Sequence, residues 1–291
     1  MANKNNAAPA KPQAAPPAEK ETGLVKAASV EVGEAIDYSQ YAGMGSEQVR
    51  TTDLATPYLT ILQKNSPQVD PDSPKYITGA QVGMILNTVT GEIFDGKTIG
   101  ITVVPCNFTP KVVEWVPRDS GGGFVAAYDP EAAEVKEAVA ENLRNDKNKL
   151  INRKGNTMVD TAYHFVGHII DGVFHPAIVS MTSTQHKPSR QWNSMINGIM
   201  LPVPGKPGRK YNPPRFSHAY QLTTAVQKNG EFTSYNWKVA LLGPITDPDV
   251  FQAALAFSKA VAVGSVQTSV PPSDDQDDDH KSADGRGEKP F

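Results

Sequence analysis

Tyr163–Met181, YHFVGHIIDGVFHPAIVSM, is the stretch on which the fold turns. It is rich in Val, Ile and aromatic residues, which fit a pleated, half-buried surface. Two such runs, Tyr163–Ile170 and Val173–Met181, flank Asp171-Gly172, a pair that tolerates positive φ and favours a tight hairpin turn. The same grammar recurs downstream, where Phe216–Gln227 and Phe232–Leu242 flank Asn229-Gly230. Upstream, Thr98–Val116 carries Ile99, Ile101, Val103, Val104, Phe108, Val112, Val113 and Trp115, and reads as two strands broken at Thr109-Pro110. Val82–Leu86 and Ile93-Phe94, with the turn residues Thr90-Gly91 between them, read as a further short hairpin.

Helical spacing separates these β segments. Asp129-Pro130 opens a helix along which Ala133, Val135, Ala138, Val139 and Leu143 recur, with Pro130 at a first-turn position. Trp192, Met195, Ile196, Ile199 and Met200 predict a second helix beginning near Pro188, and Val250–Val263 a third. Leu54, Tyr58, Ile61 and Leu62 suit a short helix over Thr52–Gln63, with Pro57 confined to its first turn. Residues 202–214 read as a loop rich in Pro, Gly and basic residues. This order predicts an α+β fold that is mainly antiparallel β, with an OB-like barrel decorated by helices as the simplest architecture. One β-rich domain over residues 50–266 is expected. Residues 1–35, rich in Ala, Pro, Lys and Glu, and residues 267–291 are expected to be disordered, since neither offers the apolar surface that would offset the entropy of ordering.

Composition removes several function classes. A single cysteine, Cys106, excludes an intramolecular disulfide and a thiolate-rich zinc site. No apolar run reaches the roughly 18 residues of a membrane helix, and the first residues lack a secretory h-region, so a cytoplasmic protein without membrane contact is expected, in the host cytoplasm if phage-encoded. Ser120–Gly123 lacks the lysine of a phosphate-binding loop, and no nucleophile-and-base spacing specifies a reaction, so a non-enzymatic protein without cofactor is expected. His164 and His168 share one strand face with His175 across the turn, a geometry that permits a metal. No carboxylate or cysteine cluster accompanies them, so no metal is expected.

The net charge of -3 conceals an internal asymmetry. Residues 51–143 hold 6 Lys+Arg against 12 Asp+Glu, whereas residues 144–228 hold 12 against 3, a net +9. The basic segment combines Lys147, Lys149, Arg153, Lys154, Lys187, Arg190, Lys206, Arg209, Lys210 and Arg215 with the rings Tyr163, Phe165, Trp192, Tyr211, Phe216 and Tyr220. Cations that follow a phosphate backbone, with rings that stack on unpaired bases, are what single-stranded nucleic acid requires. Any one ring reads first as a core residue; the segment's charge carries the reading. Within it Lys206–Tyr211, KPGRKY, presents three cations and a ring on one loop. Lys187–Trp192, KPSRQW, sets cations at a helix start, where backbone N–H groups attract phosphate.

The carboxyl end adds a second signal: Asp274, Asp275, Asp277, Asp278 and Asp279, a polar spacer, then Pro290-Phe291. This arrangement resembles the tail of bacterial and phage single-stranded DNA-binding proteins, over about the last 20 residues. Lys281, Arg286 and Lys289 interrupt its acidity, and Lys289 stands before Pro290 where those tails carry an apolar residue. The resemblance implies that Phe291 docks in a replication or recombination partner, with Pro290 beside it, while the aspartates compete with DNA for the basic groove. A single-stranded DNA-binding protein of phage-type replication is therefore expected. A strand-annealing recombination protein and a virion or assembly component are the alternatives, and the oligomeric state is open.

Overall fold

The computed structural model describes residues 37–50, 53–229, 232–266, 268 and 270–271. Contacts divide the chain into residues 1–48 and 49–291. The described part of the first unit holds one 3-10 turn, Ser39–Tyr41, with no buried residue.

The second unit is mixed α and β, and mainly antiparallel. Its centre is a six-stranded sheet built on β4 (Ile101–Val116). The strands of this sheet run in the order β11 (Phe232–Pro244), β10 (His218–Asn229), β4, β6 (Thr157–Ile170), β7 (Val173–Thr182), and β5 (Gly123–Tyr128) pairs separately with β4. A small sheet of β1 (Leu59–Ile61), β2 (Ile85–Asn87) and β3 (Ile93–Phe94) adjoins it, Ile178 N–H bonding the Pro57 carbonyl at 2.9 Å. Helices α1 (Ala133–Glu141), α2 (His186–Asn197) and α3 (Pro248–Ala262) and a two-residue hairpin, β8 (Leu201-Pro202) with β9 (Lys210-Tyr211), complete the fold. Among the described residues β11 and β7 remain the two ends of the sheet, which does not close into a barrel.

Both expected hairpins form. Asp171 and Gly172 take φ of 50° and 79°, the left-handed values that a two-residue turn needs, and pairing runs from Ile170↔Val173 to Thr161↔Thr182. The third hairpin is β2–β3, and all three long helices form close to their expected limits.

Three expectations are corrected. The helix expected over Thr52–Gln63 does not form in the described residues 54–63: Leu59–Ile61 is a strand paired with Ile85–Asn87, because Pro57 forces extended backbone before it and tertiary pairing outweighs a weak helical period. Thr98–Val116 is one strand, not two. It bends at a bulge around Cys106 and carries Pro110 within it. Pro110 is tolerated because β10 pairs only Ile101–Val103 and β5 only Val112–Val116, so the strand between them has a partner on one side alone. The loop 202–214 contains β9, held by pairing to Leu201-Pro202. β5 answers to no expected element; its burial alternates strictly along a segment too short and mixed to read from sequence.

One core cluster joins β1, β2, β4, β6, β7, β10 and α2, with Trp192 and Tyr220 fully buried. The other seats Val250, Ala254 and Phe257 of α3 against Tyr163, Phe165 and Ile178. Asp247 caps α3, accepting from the Asp249 and Val250 amides at 2.8 and 3.2 Å.

Candidate nucleic-acid interface

Between Asp171 and Glu231 the chain contains no carboxylate, yet it contains seven Lys and Arg. Five of them, Lys187, Arg190, Lys206, Arg209 and Lys210, are exposed and make no ion pair among the described residues. Two lie on α2 and three on the β8–β9 hairpin that follows it. Asn212 ties the hairpin to the end of the helix, its Nδ2 donating to the Asn197 and Ile199 carbonyls at 3.2 and 2.9 Å. Tyr211, 42% exposed, supplies a ring beside these cations.

Arg215 lies beneath this surface. Its Nη2 donates to Asn193 Oδ1 at 2.7 Å and approaches His164 Nδ1 at 3.2 Å, while the guanidinium carbon stands 5.7 Å from the centre of the Phe108 ring. Burial lowers its pKa to about 10, which leaves it charged at neutral pH. No carboxylate faces it among the described residues, although uncompensated burial costs roughly several kcal/mol per ion. His164 completes the cluster. Its Nε2 meets Ser189 Oγ at 2.8 Å, its ring stacks on Trp192 at 4.6 Å, and burial followed by the Arg215 charge holds its pKa well below the usual range. It is a neutral, packed histidine.

The remaining basic residues form a separate group in the 144–157 loop. Glu114, 3% exposed, anchors that loop: its carboxylate accepts from Tyr128 Oη and Asn152 Nδ2 at 2.7 Å and from Asn156 Nδ2 at 2.6 Å. Burial alone would raise this carboxyl, but the three donors and the nearby Lys154 charge outweigh it and hold its pKa low. Lys147 and Lys149 line a groove of about 680 Å³ together with Trp115 and Gly121–Gly123, and Asp119 and Asp146 share its walls. A second groove of about 400 Å³, rich in Thr, Ser and Gln, includes Trp115 and Gly123 as well, so the two meet there. It reaches Gln185, the residue before α2.

The residues expected at the site therefore fall into three sets. Lys187 and Arg190 in the first turns of α2, and Lys206, Arg209, Lys210 and Tyr211 on the hairpin tied to its other end, are all exposed. Lys147, Lys149 and the exposed Lys154 belong to the loop at the other groove. Trp192 and Phe216 are corrected to core residues, at 0% and 8% exposure, because α2 and the 3-10 turn Arg215–Ser217 press them into the sheet. The same holds for Tyr163, Phe165 and Tyr220. Arg153 is also corrected: it pairs with Glu137 at 2.9 Å and with Glu141, both on α1, and so is engaged within the fold. Phe108 and Trp115, read from sequence only as strand residues, are the rings that reach these surfaces. No sequence signal separated them from the other residues of β4; the bulges of that strand and the packing of helix and loop decide their exposure. His168 lies opposite His175 in register and against the Phe94 ring at 4.8 Å; among the described residues no third ligand forms a metal group with them. Asp277, Asp278, Asp279, Pro290 and Phe291 lie outside the described residues.

A family model described as Pam3 phage gp34-like protein matches residues 21–267. The chain belongs to this family. Its phage character follows from that membership, and the matched span covers every strand and helix described above while stopping before the acidic tail. No curated protein and no solved structure matches the chain. Among the described residues no helix is long and apolar enough to cross a membrane.

Proposed function

We propose that this member of the Pam3 phage gp34-like family binds single-stranded DNA in phage replication or recombination. One observation carries the reading: five exposed, ion-pair-free cations and an exposed tyrosine occupy α2 and the β8–β9 hairpin, within a stretch of chain that lacks any carboxylate. Cations in such a setting gain from phosphate neutralisation and counterion release, since no carboxylate among the described residues is paired with them. The groove at Trp115, with Lys147 and Lys149, extends the surface available to a strand. An OB-like barrel belongs to this reading only as a functional analogy; an open antiparallel sheet that displays a cationic helix and hairpin serves the same end. The acidic tail is assigned the recruitment of replication or recombination proteins in the host cytoplasm, and competition with DNA for the basic surface.

Titration with an oligo-dT strand tests the reading. Affinity falls steeply with salt, and the triple variant Lys206→Ala, Arg209→Ala, Lys210→Ala lowers the log–log salt slope by about 2, the value for three lost phosphate contacts on a single strand. Deletion of residues 272–291 strengthens binding. A protein that fails to bind the strand at low salt, or whose salt slope is unchanged in the triple variant, does not work this way. An annealing assay with complementary strands separates simple coating from strand pairing, and presence in purified particles would favour a virion role.

A further inference from the structure

The geometry points to a nucleotide subsite made by Phe108 and Arg215, in which the guanidinium holds a phosphate oxyanion of the strand and the Phe108 ring stacks on the adjoining base. This deepens the single-strand reading and rests on it. The argument begins with unmet donors. Arg215 Nε is buried and has no hydrogen-bond partner among the described residues, and the same is true of Tyr220 Oη and Trp192 Nε1. These groups are neighbours: the Trp192 and Tyr220 rings meet edge to face at 5.9 Å, and the Arg215 charge acts on the Tyr220 hydroxyl. All three can donate, and no acidic side chain answers them among the described residues. Trp192 and Tyr220 are fully buried, so of these donors only the half-buried Arg215 can meet a ligand from solvent, and its uncompensated charge favours an anion.

Access and class follow from Phe108. This ring is 38% exposed, stands opposite His164 in register with 5.0 Å between ring centres, and carries the Arg215 guanidinium 5.7 Å from its centre. An exposed ring beside a half-buried arginine, whose Nη2 is already held by Asn193 and His164, presents a stacking face and a fixed positive charge within one nucleotide's reach. Arg190 and the β8–β9 cations lie on the chain segments adjoining Arg215: Asn193, which orients Arg215, is one turn beyond Arg190 on α2, and Arg215 follows the hairpin in sequence. Free phosphate shares the oxyanion chemistry but has no use for the ring, and this distinguishes the two sources.

The test uses the full chain and oligo-dT carrying 5-iododeoxyuridine. Irradiation is expected to yield an adduct at Phe108, and Phe108→Ala, which removes a partly exposed ring, is expected to weaken oligo-dT binding about tenfold. Arg215→Lys keeps a charge but loses the contacts with Asn193 and the Phe108 ring that fix its position, and is expected to weaken binding to a similar degree. If it does not fold, the Phe108 variant and the adduct decide alone. Wild-type affinity in Phe108→Ala with adducts only elsewhere, while the triple hairpin variant binds poorly, overturns the subsite and leaves the single-strand reading intact. Thermal stabilisation by inorganic phosphate that Arg215→Lys abolishes, with oligo-dT affinity unchanged in Phe108→Ala, makes the pocket a free-anion site and also overturns the nucleotide assignment. Absence of oligo-dT binding by the wild-type chain removes both.

Discussion

Removing the Glu114 carboxylate should release the basic 144–157 loop and lower the stability of the whole domain. In the folded chain this buried carboxylate receives three donors at 2.6 to 2.7 Å, from Tyr128, Asn152 and Asn156. A hydrogen bond to a charged group contributes roughly 1.5–3 kcal/mol, and about half of that when neutral. Glu114→Gln keeps the shape and loses the charge, so roughly 1 kcal/mol per bond is at stake. Discounting for the partial exposure of the three partners leaves a loss of about 2 kcal/mol. Glu114→Ala forfeits all three bonds, leaves their donors unmet and opens a cavity, for a loss of about 3–5 kcal/mol. In a domain of this size each kcal/mol moves Tm by about 2–4 °C, so the alanine variant should melt roughly 6–20 °C lower. Thermal and urea unfolding of the full chain measure this, and hydrogen exchange should show the amides of 152–157 opening first. The pH dependence has a definite sign. Because the folded carboxyl has a pKa below its ordinary value near 4.5, its contribution is complete above that value and is lost as pH falls through the lower folded pKa. The Gln variant should lack that part of the acid limb. A Glu114→Ala protein within about 1 kcal/mol of wild type would falsify the anchoring role.

Three further outcomes follow from particular contacts. Arg153→Ala should leave oligo-dT affinity and salt slope unchanged and barely move the urea unfolding midpoint, since its exposed pairs with Glu137 and Glu141 are solvent-screened; a reduced slope would return Arg153 to the interface. Gly167→Ala places a methyl inside the Phe174 ring, which packs edge to face on Phe257 of α3 at 6.0 Å, so a loss of about 1–3 kcal/mol is expected, partly restored by adding Phe174→Leu; a wild-type Tm would refute this overlap. His168, held neutral by burial and by His175 with a pKa of about 4, should make the fold less stable as pH falls from about 6.5 towards 4, because there the unfolded chain takes up the proton first. His168→Gln should flatten that part of the Tm profile, and an unchanged profile would point to other groups.

The first hairpin was legible because Asp171-Gly172 encodes positive φ locally, the second because two β-rich runs flank Asn229-Gly230, and α3 because its apolar period lies within one short window. The net +9 of residues 144–228 was equally visible, since charge is a property of composition. Position was not. Whether Trp192 faces a base or the core depends on α2 resting its Trp192–Ser189 side on His164, a contact between residues 25 or more positions apart in the chain. Arg153 looked like its neighbours until α1 brought Glu137 and Glu141 beside it, and Arg215 became distinctive only when the fold buried it next to Phe108 without a carboxylate. Turns, periods and charge totals are local quantities that the order of residues determines by itself. Which cations stay free and which rings reach solvent is decided by packing between distant segments, and that exists only in the tertiary structure.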